Sequence, residues 1–202
     1  MKKTNTRALV QLSLLAAIVL VMAYTPLGYL RTMGLEISFL MIPVTLGAIL
    51  LGPAAGAFLG GLFGLTSFGT CFGSSMFGAA LLGINPVFTF LVCVPTRILA
   101  GWLAGVLFRT LARPARGGQP ALWAFGAAAL AGPVLNTLLF TGTLAALFYH
   151  TDYIQNLAAT LGAANPLTFA VLFVGAQGLV EALVGCALTT VIGRAVYRFL
   201  HR

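Results

Sequence analysis

The sequence predicts an all-α integral membrane protein with about six transmembrane helices in a single domain, residues 1–202. The mean hydropathy is +1.03, and 60% of the residues are hydrophobic whereas only 7% are charged. Apolar runs long enough to cross ~30 Å of hydrocarbon recur along the whole chain. A soluble domain carries far more charge, so this composition excludes an ordinary soluble protein.

The apolar segments can be traced in order. The first covers residues 8–28; it is about 20 residues long and lacks a good cleavage site, so we expect a retained helix rather than a signal peptide. The run over residues 37–68 breaks at Gly52-Pro53 too sharply for one helix. Its two short halves form either two tilted spans or a re-entrant hairpin. The last three spans cover Pro86–Leu111, residues 121–149 and Pro166–Leu200.

The basic residues predict the orientation of these spans. One side of the membrane receives nearly all of them: Lys2, Lys3, Arg7, Arg109, Arg113, Arg116, Arg194, Arg198 and Arg202. The positive-inside rule therefore places both termini in the cytoplasm. We expect the protein to lie in a bacterial plasma membrane. Because the charge of +8 is explained by topology, no nucleic-acid partner is expected.

Polar residues inside the C-terminal spans are the candidate functional residues. Arg97, Asn136, Gln177 and Glu181 each lie about 16–22 Å from the outer end of their helices, so they share a layer of the bilayer. A carboxylate at mid-span costs roughly 2.5–3.5 kcal/mol, so Glu181 needs a partner, a wet cavity or a ligand. Two interpretations stay open: an Arg97–Glu181 ion pair, helped by Asn136, that joins three helices, or a polar ligand in an outward-opening cavity. An arginine there favours a carboxylate or phosphate ligand.

Enzymatic activity is not expected. Neither HExxH nor GxSxG is present, and His150 and His201 lie at span ends. A single intramembrane carboxylate without a second one or a metal is poor hydrolytic machinery. The remaining alternatives are a small proton-coupled carrier that uses Glu181 as its relay and a structural subunit of a membrane complex. The lack of a visible inverted repeat argues against the carrier.

Two further features concern packing and the outer surface. Glycines at intervals of four allow a neighbouring helix to approach closely: Gly52, Gly56, Gly60 and Gly64. No metal spacing joins the cysteines, which we expect to fill helix contacts: Cys71, Cys93 and Cys186. The Gly-, Ser- and Phe-rich residues 67–85 are long for a plain loop. They form either a flexible lid or ligand-facing loop, or a partly helical interfacial hairpin.

This layout resembles the S components of energy-coupling factor (ECF) vitamin transporters over nearly the whole chain. The stretch LLGPAAG, residues 50–56, matches the Gly-Pro-x-x-Gly joint between the second and third helices of that family. Ser13-x-x-x-Ala17 is the closest match to the Ala-x-x-x-Ala of its first helix, which packs on a shared transmembrane T subunit. The resemblance implies that Ser13 and Ala17 dock on this subunit.

The resemblance also implies a protein that has no cofactor of its own. It would bind a vitamin near the outer face, while two ATPase subunits use ATP to drive uptake. The implied binding residues come from the outer segments and the last three helices: Arg97, Asn136, Gln177, Glu181, Asn85 and Ser75. Residues 67–86 with TRILAGW, residues 96–102, are similar to the pantothenate-type branch, whose substrate carboxylate would suit Arg97. Riboflavin is the nearest alternative, with Phe72, Phe77 and Phe88 available for stacking.

Overall fold

The computed structural model describes residues 6–26, 28–32, 35–112 and 120–200, which form a helical bundle. The helices in chain order are α1 (Thr6–Tyr24), α2 (Met41–Leu51), α3 (Pro53–Thr70), α4 (Met76–Ile84), α5 (Pro86–Leu111), α6 (Leu122–Phe148), α7 (Asp152–Thr160) and α8 (Pro166–Leu200). The predicted all-α membrane class is confirmed. The bounds of α5 and α8 agree with the predicted spans, and α6 is shorter by one residue at each end.

The segment between α1 and α2 differs from the prediction. It forms a two-stranded antiparallel hairpin of β1 (Tyr29–Thr32) and β2 (Leu35–Ser38). Helix α1 therefore ends at Tyr24, short of the predicted residue 28, and α2 begins at Met41, after the predicted start at residue 37. The apolar residues of β2 belong to a strand, which a count of apolar residues cannot distinguish from the start of a helix.

Four stretches of helix in the described residues are long and apolar enough to cross a membrane: α1, α5, α6 and the part Gly178–Phe199 of α8. Helix α2 has 11 residues and is too short for a full crossing. The chain reverses between α2 and α3, because Gly52 has a φ of 98° and Pro53 begins α3. The predicted break is thus confirmed, whereas the total of six spans stays a prediction.

Glycines determine how closely α3 and α5 approach. A Cβ atom added to three glycines of α3 would collide with a backbone carbonyl oxygen of α5: Gly56 with that of Gly101, Gly60 with that of Arg97 and Gly64 with that of Cys93. Each step of one turn along α3 is matched by one turn back along α5, so the two helices are antiparallel and in backbone contact. The predicted packing role of the stripe is confirmed for these three positions. A Cβ atom added to Gly52 would meet nothing within 4 Å. This glycine instead forms the turn between α2 and α3.

The two short helices α4 and α7 close the same end of the bundle. Leu81 of α4 and Ile154 of α7 belong to one buried cluster with Phe148 of α6 and Phe169 of α8. Residues 67–85 are therefore largely helical, since α3 continues to Thr70 and α4 begins at Met76. Of the two alternatives, the partly helical hairpin agrees with the structure. A flexible lid over the whole segment does not. The polar stretch at residues 150–165 likewise contains a helix.

Candidate ligand-binding site

Arg97 lies near the middle of α5, two residues after a proline inside the helix, Pro95. Pro95 has no N–H for the carbonyl oxygen of Leu91, one turn earlier in the helix. The Arg97 guanidinium folds back along α5, and its Nη1 donates to the carbonyl oxygens of Val92 at 2.9 Å and Cys93 at 3.0 Å. The Thr96 hydroxyl also donates to the Val92 carbonyl at 2.5 Å. The arginine is therefore held by its own helix and points toward the end of the bundle that α4 and α7 close.

The remaining surroundings of Arg97 are aromatic. Its guanidinium carbon lies 5.2 Å from the ring centre of Phe63 on α3 and 4.7 Å from that of Phe140 on α6. Both distances are typical of cation–π contacts. Only 7% of the Arg97 surface is exposed, and its Nε has no hydrogen-bond partner in the part of the chain that the structure describes. Among the described residues, this charge is stabilised by carbonyl dipoles and ring faces.

Glu181 has a different partner from the one that the ion-pair interpretation requires. Its Oε1 accepts a hydrogen bond from the backbone N–H of Ser38, at the end of β2, at 2.6 Å. The contact places the buried carboxylate near the N-terminal end of α2, where the helix dipole favours negative charge. Among the residues that the structure describes, none forms an ion pair with Arg97. The Arg97–Glu181 ion pair is therefore wrong.

Asn136 is buried on α6, with 7% of its surface exposed. Its Oδ1 atom has no hydrogen-bond partner within the described part of the chain. Because Phe140 lies four residues further on, the amide and the ring that covers Arg97 share one face of α6. An interior amide oxygen without a partner costs about 1–3 kcal/mol, so this position favours a water molecule or a ligand group.

The helix contacts give the relative depth of these residues. Helix α6 packs against both α5 and α8. Gly178 of α8 faces Thr137 of α6, and Gly185 faces Pro133. Glu181, between these two glycines, is therefore level with Asn136, while Arg97 lies about one turn away, beside Phe140. The backbone of Gln177 is part of α8, but its side chain is outside the described residues. The structure thus brings Arg97, Asn136 and Glu181 to adjacent levels of three neighbouring helices.

The other two predicted binding residues are helix caps. The Ser75 hydroxyl accepts a hydrogen bond from the N–H of Gly78 at 3.2 Å and begins α4. Asn85 accepts from the N–H groups of Val87 and Phe88 at 3.0 and 3.1 Å and begins α5. The Asn-Pro pair at the start of α5 is a typical N-cap sequence, so this capping role was readable from the chain.

Phe63, Phe140 and the Ser38 amide were missed by the sequence analysis. Phe140 had a detectable signal, because it lies one helical turn from Asn136 on the same face. The contact of Phe63 with Arg97 could be inferred from the glycine stripe only if α5 were known to be the partner of α3. The Ser38 contact joins residues 143 positions apart, and no local pattern indicates it.

The hydrogen bond between Glu181 and Ser38 leads to a prediction about the hairpin. We expect Glu181→Leu to leave the Ser38 N–H unpaired and to destabilise the contact by about 1–3 kcal/mol. Glu181→Gln is the matched control, since its amide oxygen still accepts this bond. Amide hydrogen exchange at Ser38 measures the effect: faster exchange is expected in Glu181→Leu than in Glu181→Gln. Equal exchange rates in the two variants would contradict the role of this contact.

The fold and these contacts define an all-α membrane protein with a buried, charged interior layer. Over residues 7–193 the chain matches the family of the substrate-specific component of ECF transporters. The chain belongs to this family. A comparison with curated proteins found no match. The family is one of transporter subunits that bind a small-molecule substrate and associate with the ECF module, and it is not an enzyme family.

Proposed function

We propose that this chain captures an anionic B vitamin, with pantothenate as the first candidate, in the interior between α5, α6 and α8. The observation that carries the proposal is Arg97, a buried guanidinium with no ion-pair partner among the described residues. An unneutralised charge in a membrane interior is expensive, and a ligand carboxylate would neutralise it. The Arg97 Nε, for which the described residues supply no acceptor, is a further donor for such a carboxylate.

The neighbouring polar groups suit the rest of such a ligand. Pantothenate carries an amide and two hydroxyl groups besides its carboxylate. The Asn136 amide can donate to and accept from these groups, and its Oδ1 has no partner in the described chain. Glu181, whose Oε1 accepts from the Ser38 N–H, is a hydrogen-bond acceptor at the same level, and Gln177, one turn earlier on α8, can donate or accept. Ser75 and Asn85 would contribute by holding the ends of α4 and α5.

The aromatic rings support pantothenate over riboflavin. The three phenylalanines that could stack on a flavin already contact other rings: Phe72 with Phe68, Phe77 with Phe173 and Phe88 with Phe148. Phe72 is also 70% exposed on the surface of the bundle. A stacking site for a flavin would require these contacts to rearrange.

The carboxylate of the ligand can be tested with pantothenol, in which an alcohol replaces it. We expect pantothenol to bind at least about 10-fold more weakly than pantothenate, because it forgoes a charge-assisted contact. In Arg97→Gln the difference between the two ligands should largely disappear. Titration calorimetry of both ligands against both proteins measures this. Equal affinities in the unmodified protein would contradict recognition through Arg97.

We further propose that Ser13 and Ala17 of α1 form the docking surface for the T subunit. Both side chains are exposed, and they lie on the face of α1 opposite the buried Val19. Small side chains on such a face allow the close approach of another helix. The face is therefore available for a partner within the membrane.

Uptake into proteoliposomes separates this function from its alternatives. We expect uptake only when the T and ATPase subunits are present with ATP. Ser13→Leu should bind the vitamin yet abolish uptake by blocking docking, and Ser13→Ala, which keeps a small side chain, should retain both. Uptake by the chain alone, lost in Glu181→Gln, would instead establish a proton-coupled carrier. A chain that binds no small molecule would be a structural subunit.

A further inference from the structure

The end of the bundle opposite α4 and α7 carries positive charge far from the acidic side chains. Arg194 and Arg198 lie in the last two turns of α8. The chain has three acidic residues, of which Glu36 and Asp152 belong to β2 and α7. The third, Glu181, precedes Arg194 by 13 residues, or about 20 Å along α8. The excess of positive charge at this end therefore favours an anion from outside the chain.

Both arginines lie beside the contact between α6 and α8. In this contact the Cys186 thiol of α8 approaches the carbonyl oxygen of Gly126 of α6 at 3.6 Å. The row continues along α8 at intervals of four with Thr190, Arg194 and Arg198. Because each step of four residues turns the side chain by about 40° around the helix axis, the row begins against α6 and then rotates away from it. Arg198 is accordingly exposed.

Trp123 of α6 lies on the same outer side of this contact. On the core side, Gly193 of α8 faces the ring of Phe125. Trp123 is two positions from Phe125, so it points away from the core, and 61% of its surface is exposed. Since α6 and α8 are antiparallel, the residues after Gly193 are level with those before Phe125. Arg194 and Trp123 therefore lie at the same depth on the two sides of one surface groove.

The groove continues as an apolar surface toward the centre of the membrane. Leu130 lies one turn beyond Gly126 on α6, Leu183 lies three residues before Cys186 on α8, and both leucines are exposed. Helix α6 and the part Gly178–Phe199 of α8 are long and apolar enough to cross a membrane. A tryptophan and arginines at the end of an exposed aliphatic surface are typical of the membrane–water interface.

We propose that this surface, the α6–α8 groove, binds an anionic phospholipid. The groove consists of Trp123, Leu130, Leu183, Arg194 and Arg198. The two guanidinium groups would hold the phosphate, because their forked donors match its oxygens, and the acyl chains would lie along the leucines. Basic residues between transmembrane helices at a cytoplasmic end, which this end is predicted to be, suit anionic head groups. The groove is separate from the candidate ligand-binding site, so lipid binding here is independent of vitamin capture.

Quenching of Trp123 by brominated lipids tests the proposal. The chain has two tryptophans, so Trp102→Phe leaves Trp123 as the single fluorophore. The protein is reconstituted into phosphatidylcholine vesicles that contain either brominated phosphatidylglycerol or brominated phosphatidylcholine. Two arginines near one phosphate should favour the anionic lipid by about 10-fold or more. Phosphatidylglycerol should therefore quench Trp123 at a correspondingly lower fraction of the total lipid.

Two charge variants are compared in the same Trp102→Phe protein. Arg194→Gln combined with Arg198→Gln removes both arginines of the groove and should abolish the preference for phosphatidylglycerol. Arg7→Gln combined with Arg109→Gln is the matched control, since it removes the same charge from the same end of the bundle on α1 and α5. This control should keep the preference.

Two results would overturn the proposal. Equal quenching by the two brominated lipids would leave the arginines to an acidic surface of another subunit. Loss of the preference in both double variants would show that the charge of the whole end attracts the lipid without a defined groove. If Trp102→Phe does not fold, native mass spectrometry of the unmodified protein and the two double variants, which counts retained lipids, makes the same comparison. Phosphatidylglycerol should then stay bound under conditions that remove phosphatidylcholine.

Discussion

Arg97→Gln is expected to weaken the binding of an anionic vitamin by about 10- to 100-fold. The guanidinium is held in place by two carbonyl oxygens of its own helix and by the rings of Phe63 and Phe140. In the proposed site it pairs with the carboxylate of the ligand. Hydrogen bonds to a charged group contribute about 1.5–3 kcal/mol, and every 1.4 kcal/mol changes the dissociation constant tenfold. Calorimetric titration of the variant against the vitamin measures the loss.

Two matched variants control this experiment. Arg109→Gln removes an exposed arginine from the last turn of the same helix and should leave binding unchanged. Arg97→Lys keeps the charge but loses the forked donors and the planar contact with the rings. Its affinity for the vitamin should therefore fall between those of Arg97→Gln and Arg109→Gln. Unchanged affinity in a folded Arg97→Gln protein would show that Arg97 is not part of the binding site.

Gly60→Ala is expected to lower the thermal stability of the protein markedly. A methyl group at this position would collide with the Arg97 carbonyl oxygen, which is backbone and cannot rotate away. The two helices would have to separate, at a cost of about 1–3 kcal/mol. Because the contact lies at Arg97, the same shift should also weaken ligand binding. The unfolding temperature in detergent, followed by tryptophan fluorescence, measures the first effect.

Gly69→Ala is the matched control in the same helix. Nothing lies within 4 Å of a Cβ atom added there. Alanine is the better helix former by up to about 1 kcal/mol, so this variant should be as stable as the unmodified protein or slightly more so. If Gly60→Ala were as stable as Gly69→Ala, the close α3–α5 contact would be wrong.

Much of the architecture could be predicted because the membrane requires long apolar helices. Pro86–Leu111 and Pro166–Leu200 were predicted with the observed bounds, since Pro begins each helix and an apolar run follows. The break at Gly52-Pro53 was equally readable, because a glycine followed by proline ends one helix and begins another. The glycine stripe predicted a close helix contact but not its partner, which depends on the topology of the bundle.

The candidate site was only partly predictable. Depth along a helix follows from its rise, which is why Arg97, Asn136 and Glu181 were expected in one layer. Helical rise does not give the direction of a side chain around the bundle. Arg97 therefore seemed available to Glu181, whereas it folds onto the carbonyl oxygens of Val92 and Cys93 in its own helix. The hairpin was missed because its four-residue strands are too short for a clear alternating pattern, and the partner of Glu181 was missed with it.

The most direct test of the proposed capture function is calorimetric titration of the detergent-purified chain alone against a panel of B vitamins. The proposal predicts tight binding of one anionic vitamin, with pantothenate as the first candidate, without any T or ATPase subunit. A folded protein that binds no vitamin of the panel would contradict the capture function. Arg97 and Glu181 would then be structural residues of the membrane interior.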